Sequence, residues 1–86
     1  MFAQKIRVSL VAGGVEIPAP RAWLDRFFMR DFTGSGLFDE TLVAGEGSIE
    51  AGFGVSPDEV RSQFEQWLRG RKMIAPEAEV RCLRGS

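Results

Sequence analysis

Few residues in this chain have side chains suited to catalysis, and the types that are missing narrow the chemistry sharply. The 86 residues include no histidine, which removes the commonest general base and the commonest metal ligand. The single cysteine, Cys82, cannot build a zinc or iron–sulfur site alone. It alternates with Arg81 and Leu83 near the end of the chain, a spacing that turns it inward as a small hydrophobe. Without a histidine to activate it, it is not expected to act as a nucleophile. Asp39, Glu40, Glu46 and Glu50 are enough carboxylates for a hard cation or an acid–base pair. Their spacing matches no calcium loop, and carboxylates along a hairpin usually form a solvated face. No catalytic residue, metal site or cofactor is therefore expected.

Gly52-Phe53-Gly54, between an apolar stretch and a helix start, superficially resembles a phosphate-cradling loop. The third glycine is missing, and Pro57 removes an amide where amides would be needed. Asp58 and Glu59 add negative charge at the end that would have to attract phosphate. These glycines read instead as punctuation in a tight strand-to-helix turn.

Charge is segregated along the chain. Residues 1–30 hold five basic and two acidic groups, net +3; residues 31–66 hold eight acidic and one basic, net −7; residues 67–86 return to +3. The whole molecule carries −1, so no global field draws it to nucleic acid or membrane. A lattice of weak cross-strand ion pairs would account for the pattern. The functional account is a bipolar surface, with Lys5, Arg7 and Arg81 on one side and Asp39 and Glu50 on the other, that fixes a partner's register.

The elements that must position these groups are legible from periodicity. Val55 to Gly70, VSPDEVRSQFEQWLRG, predicts a helix. Ser56 is a preferred N-cap, Pro57 suits the first helical position, and Glu59 completes a capping box beside a Val55–Val60 staple. Val60, Phe64, Trp67 and Leu68 form one apolar stripe. Gly70 ends the pattern, with Arg69, Arg71 and Lys72 set to favour the negative end. Arg21 to Phe32 predicts a second amphipathic helix through Trp23, Leu24, Phe27 and Phe28. Lys5 to Ala12 alternates as a half-buried strand. Gly13-Gly14 is turn chemistry after which Val15-Glu16-Ile17 can fold back as a short arm. Leu37–Ala44 and Ser48–Val55, flanking Gly45-Glu46-Gly47, read as an antiparallel hairpin with Ile49, Ala51, Phe53 and Val55 on one face. Ala78 to Arg84 reads as a last strand, with Val80 and Cys82 facing together. LVAG occurs at Leu10–Gly13 and again at Leu42–Gly45, but the two helices do not keep that 32-residue offset.

The order strand, helix, strand, strand, helix, strand makes one small α+β domain over residues 1–86. It resembles the ferredoxin-like βαββαβ topology, an antiparallel four-stranded sheet in the order 4-1-3-2 with two helices on one face. Two ββα units side by side are the alternative if Val15–Ile17 is a genuine strand. The resemblance is to a topology shared by many functions. Hydrolases of this topology pair an arginine with an asparagine, and asparagine is absent. RNA-binding versions stack bases on the open sheet face, where the central strand here would show Glu50, Gly52 and Gly54. The aromatic residues instead sit at helical spacing and read as core.

Composition places the chain among globular proteins, with 44% hydrophobic and 27% charged residues. No stretch approaches a membrane span, Met1–Lys5 opens no signal peptide, and one cysteine cannot make a disulfide framework. The expected setting is the cytoplasm. Nine arginines against two lysines fit a GC-rich bacterial or phage coding sequence. The function expected is a small non-enzymatic protein-binding module, an accessory, regulatory or inhibitory subunit such as a phage-type inhibitor. Its partner would be another protein, met by Asp39, Glu40, Glu46 and Glu50. The edge strand also offers a route to a homodimer. The alternative is a nucleic-acid-binding domain using Arg69, Arg71, Lys72, Arg81 and Arg84; no membrane partner is expected.

Overall fold

The computed structural model describes residues 4–32 and 41–85. In chain order the elements are β1 (Gln4–Ala12), β2 (Val15–Pro18), α1 (Arg21–Arg30), β3 (Thr41–Gly45), β4 (Ser48–Ala51), α2 (Pro57–Gly70) and β5 (Glu79–Gly85). Over the described residues the architecture is α+β, a five-stranded antiparallel sheet with two helices. Asp39, Glu40 and the first half of the expected hairpin strand, residues 37–40, lie outside the described residues.

β1 organises the sheet because partners lie along both of its edges. On one edge β5 pairs with Lys5 to Val11. On the other, β4 pairs with Gln4 to Arg7 and β2 with Ser9 to Ala12. β3 pairs with β4, with a register shift between Val43 and Gly45. The sequence-based order lacks β2, so four strands become five. Gly13 and Gly14 take φ of +58° and +78°, the twist a two-residue hairpin turn requires, and this converts the expected short arm into a strand. The ββα alternative is met in element order but not in assembly, because β1 joins both hairpins into one sheet.

Where β2 ends and β4 begins, three backbone hydrogen bonds close the seam. Val8 N–H donates to Gly47 O at 2.8 Å, Gly47 N–H to Ala19 O at 2.8 Å, and Ala19 N–H to Val8 O at 2.9 Å. Gly47 has φ +61°, and a Cβ there would lie 2.6 Å from Pro18 Cβ and 2.9 Å from Val8 O.

Alternation along β1 puts Ile6, Val8 and Leu10 into the core, joined by Ile49, Ala51, Val80 and Cys82 from its neighbours. Leu24 and Phe27 of α1 and Val60, Phe64, Trp67 and Leu68 of α2 belong to the same cluster. Phe27 lies 5.1 Å from the Phe64 ring and 5.5 Å from the Trp67 ring, so the helices meet through aromatic contacts. The Trp67 indole N–H donates to Asp31 Oδ2 at 2.7 Å.

α2 begins as its cap chemistry requires. Ser56 Oγ accepts from Glu59 N–H at 3.4 Å, and both Val55 and Val60 are buried. Its end differs from expectation. Gly70 is the last helical residue, but the left-handed residue is Lys72, at φ +54°. Met73 N–H donates to Leu68 O at 2.9 Å and Lys72 N–H to Arg69 O at 3.1 Å, the two bonds of a Schellman end with lysine where glycine is usual.

Phe53 also departs from expectation. β4 stops at Ala51, Val55 N–H closes a turn on Gly52 O at 3.2 Å, and the Phe53 ring swings out to 83% exposure. Gln4 holds this turn, donating from Nε2 to Gly52 O and Val55 O at 2.8 and 2.7 Å. The two LVAG segments both precede hairpin turns, yet Leu10 is buried while Leu42 is exposed and Val43 is buried. A one-residue shift of phase turns every side chain to the other face, so the segments are not equivalent repeats.

Candidate interaction surface

Strand register defines the sheet face that the helices leave uncovered. Gly85, Lys5, Glu50 and Leu42 form one row across β5, β1, β4 and β3; Leu83, Arg7 and Ser48 form the next. Arg81, Ser9 and Pro18 follow, then Glu79, Val11 and Glu16, with β2 now flanking β1. Leu42 and Leu83 are 49% and 56% exposed.

The lower rows are internally paired. Ser9 Oγ donates to Glu16 Oε2 at 2.6 Å, and Arg81 Nη1 to Glu16 Oε1 at 3.1 Å. The Ser9 hydrogen bond, followed by the Arg81 charge, holds the Glu16 carboxyl below its ordinary range. The upper rows are different. Among the described residues, Lys5 and Arg7 have neither an ion-pair nor a hydrogen-bond partner for their side chains. Between them and the β2 end lies a shallow cleft of about 420 Å³, lined by Lys5, Arg7, Ser9, Glu16, Pro18, Glu46, Ser48 and Leu83 among others.

Of the predicted acidic residues, the two described ones, Glu46 and Glu50, lie in different places. Glu50 sits in the middle of the open face, opposite Lys5. Glu46, in the β3–β4 turn, accepts from Arg21 N–H through Oε2 at 2.9 Å. Pro20, the N-cap of α1, makes no side-chain cap bond, so a carboxylate from 25 residues away caps that helix. Sequence reasoning missed this role, because nothing near Arg21 signals it.

The five basic residues of the nucleic-acid alternative are largely engaged in the fold. Arg69 donates to Pro76 O at 3.1 Å and Ala78 O at 2.6 Å, tying the α2–β5 connection to the helix. Arg71 lies 4.6 Å over the Trp67 ring and 3.5 Å from Asp31. Lys72 shapes the helix end, Arg81 pairs with Glu16, and Arg84 donates to Gln4 Oε1 at 2.8 Å. Arg81 is on the open face, whereas Arg69, Arg71 and Lys72 cluster at the end of α2.

Cys82 is 8% exposed beside Val80. Desolvation pushes its thiol up to about 12, only partly opposed by the Arg61 charge, which leaves it an unreactive core group. Among the described residues no cluster of three or more Cys, Asp or Glu side chains is arranged to hold a metal ion. No described helix is long and apolar enough to cross a membrane.

No protein-family profile matches the chain, and neither the curated proteins nor the solved structures contain a match to it.

Proposed function

We propose that this chain is a small non-enzymatic module that binds another protein through the uncovered face and the β3 edge of its sheet. The observation that carries the reading is the upper part of that face. Exposed Leu42 ends the row that holds Lys5 and Glu50, and exposed Leu83 stands beside Arg7 in the next. Apolar side chains set within oriented charge are what a specific protein interface is built from. Among the described residues β3 pairs with β4 alone, and a free strand edge can accept a partner strand by backbone pairing. Asp39, Glu40 and Glu50 supply the acidic part of the contact, while Glu46 serves α1 first. We read the order β5-β1-β4-β3, with helices following β2 and β4, as a ferredoxin-like arrangement to which β2 is an added arm.

The test is affinity capture from source cells by wild type and by a Leu42→Asp/Glu50→Lys double variant of matched melting temperature. Loss of the captured protein on the variant supports the reading. Equal capture by both proteins sinks it.

A further inference from the structure

Resting on that reading, we infer that the notch on the open face of β1, between Leu83 of β5 and the closed β2–β4 seam, receives a carboxylate side chain of the partner protein, with Arg7 and Lys5 binding it and Leu83 as its apolar wall. The first ground is convergence. A Cβ built at Gly85 of β5 would lie 3.6 Å from Arg7 Nε and 3.6 Å from Lys5 Cγ, so both cationic side chains pass over the same bare stretch of β5, on the Leu83 side of the cleft. The second is commitment of the nearby acids. Glu16 is held by Ser9 and Arg81, and Glu46 by Arg21 N–H. Glu50 is the register partner of Lys5 without forming an ion pair with it. Arg7 stands between Leu83 and Ser48, both neutral. Its planar guanidinium is thus left to take an incoming carboxylate through two parallel hydrogen bonds.

Two cations (Lys5 and Arg7) and two carboxylates (Glu16 and Glu46) line the notch, with Glu50 beside Lys5 and Arg81 beside Glu16 at its margins. Such a balanced site does not favour a polyanion. It favours one negative charge presented at one place. The cleft is also shallow, whereas small-molecule sites usually enclose most of their ligand. A carboxylate carried on a protein segment, with an aliphatic neighbour to rest on Leu83, fits both features.

Panning a random peptide library on the wild-type protein at low ionic strength tests this directly. Enriched peptides should carry Asp or Glu beside an aliphatic residue. Their affinity should fall about tenfold or more with Arg7→Gln, or when the peptide acid is changed to its amide. Arg7→Lys, which keeps the charge and removes the fork, should recover only part of it. Arg7 is exposed, so each variant should keep its fold, checked by melting temperature. Enrichment without acidic residues, failure to enrich any sequence, or affinity indifferent to Arg7→Gln would overturn the inference. So would inorganic phosphate or a 5′-phosphorylated oligonucleotide binding more tightly than the acidic peptides. The two proposals fail separately: peptides lost on Arg7→Gln yet retained by Leu42→Asp/Glu50→Lys uphold the notch even if cellular capture ignores the edge.

Discussion

At the scale of single residues, Gly47 is the position where space and backbone conformation both demand glycine. Gly47→Ala places a methyl against Pro18 and Val8 O in addition to straining a positive φ. Gly14 has a positive φ with open space around it, so Gly14→Ala carries the strain alone. Urea denaturation should show a loss of about 1 kcal/mol for Gly14→Ala and clearly more, about 2–3 kcal/mol, for Gly47→Ala. Equal losses would mean that the three-bond seam yields easily. Cys82 makes a prediction in pH. Its folded thiol titrates at about 12, raised chiefly by desolvation from an ordinary value of 9.0. The unfolded chain therefore releases its proton first, and stability must fall as pH rises from about 9 towards 12. The slope should approach, at most, about 1.4 kcal/mol per pH unit. The chain has no tyrosine, so Cys82→Ala should remove most of this alkaline dependence. A pH profile shared by wild type and variant would assign it elsewhere.

At the scale of elements, the two helices are started and stopped by different means. α2 carries its own cap in Ser56, but its end forces Lys72 into the left-handed region. Lys72→Gly should relieve that strain and raise stability by about 0.5–1 kcal/mol, after the greater freedom of glycine in the unfolded chain is counted. A loss on chemical denaturation would show that the lysine side chain holds the turn. α1 depends on the hairpin for its cap. Glu46→Ala should cost about 1 kcal/mol and speed amide exchange at Arg21 and its neighbours. Charge reversal at Glu46 consequently disturbs the fold, and Glu50 is the better position for probing a partner. Amide exchange at Arg21 unchanged in Glu46→Ala would deny the cap.

At the scale of the whole molecule, β1 is the member that every other strand but β3 pairs with. Its amides should be among the slowest to exchange, with Val8 opening only on global unfolding, while outward amides of β3 exchange through local opening. Faster exchange in β1 than in β3 would contradict the pairing. The same topology explains the charge segregation. The basic first segment and the acidic middle segment meet in register, Lys5 against Glu50, so part of the pattern along the chain becomes neighbouring charge across the sheet. What remains unpaired, Lys5 and Arg7, is brought beside the exposed Leu83 by β5.

The sequence alone determined those features whose causes act over a few residues. The cap and apolar stripe of α2, the inward phase of Ile6, Val8 and Leu10, and the burial of Cys82 all follow from periods of 3.6 and 2 and from cap chemistry. The tertiary structure decided whatever depends on a partner far along the chain. Val15–Pro18 is a strand because β1 offers it half an edge. Glu46 is a cap because the β3–β4 turn reaches Arg21. Arg69 and Arg71 serve the fold because Ala78 and Trp67 come within their reach. Phe53 points outward because β4 ends at Ala51, four residues before the alternation does at Val55. Register between distant strands is set by filling the core from all elements at once, and no local stretch of sequence contains that condition.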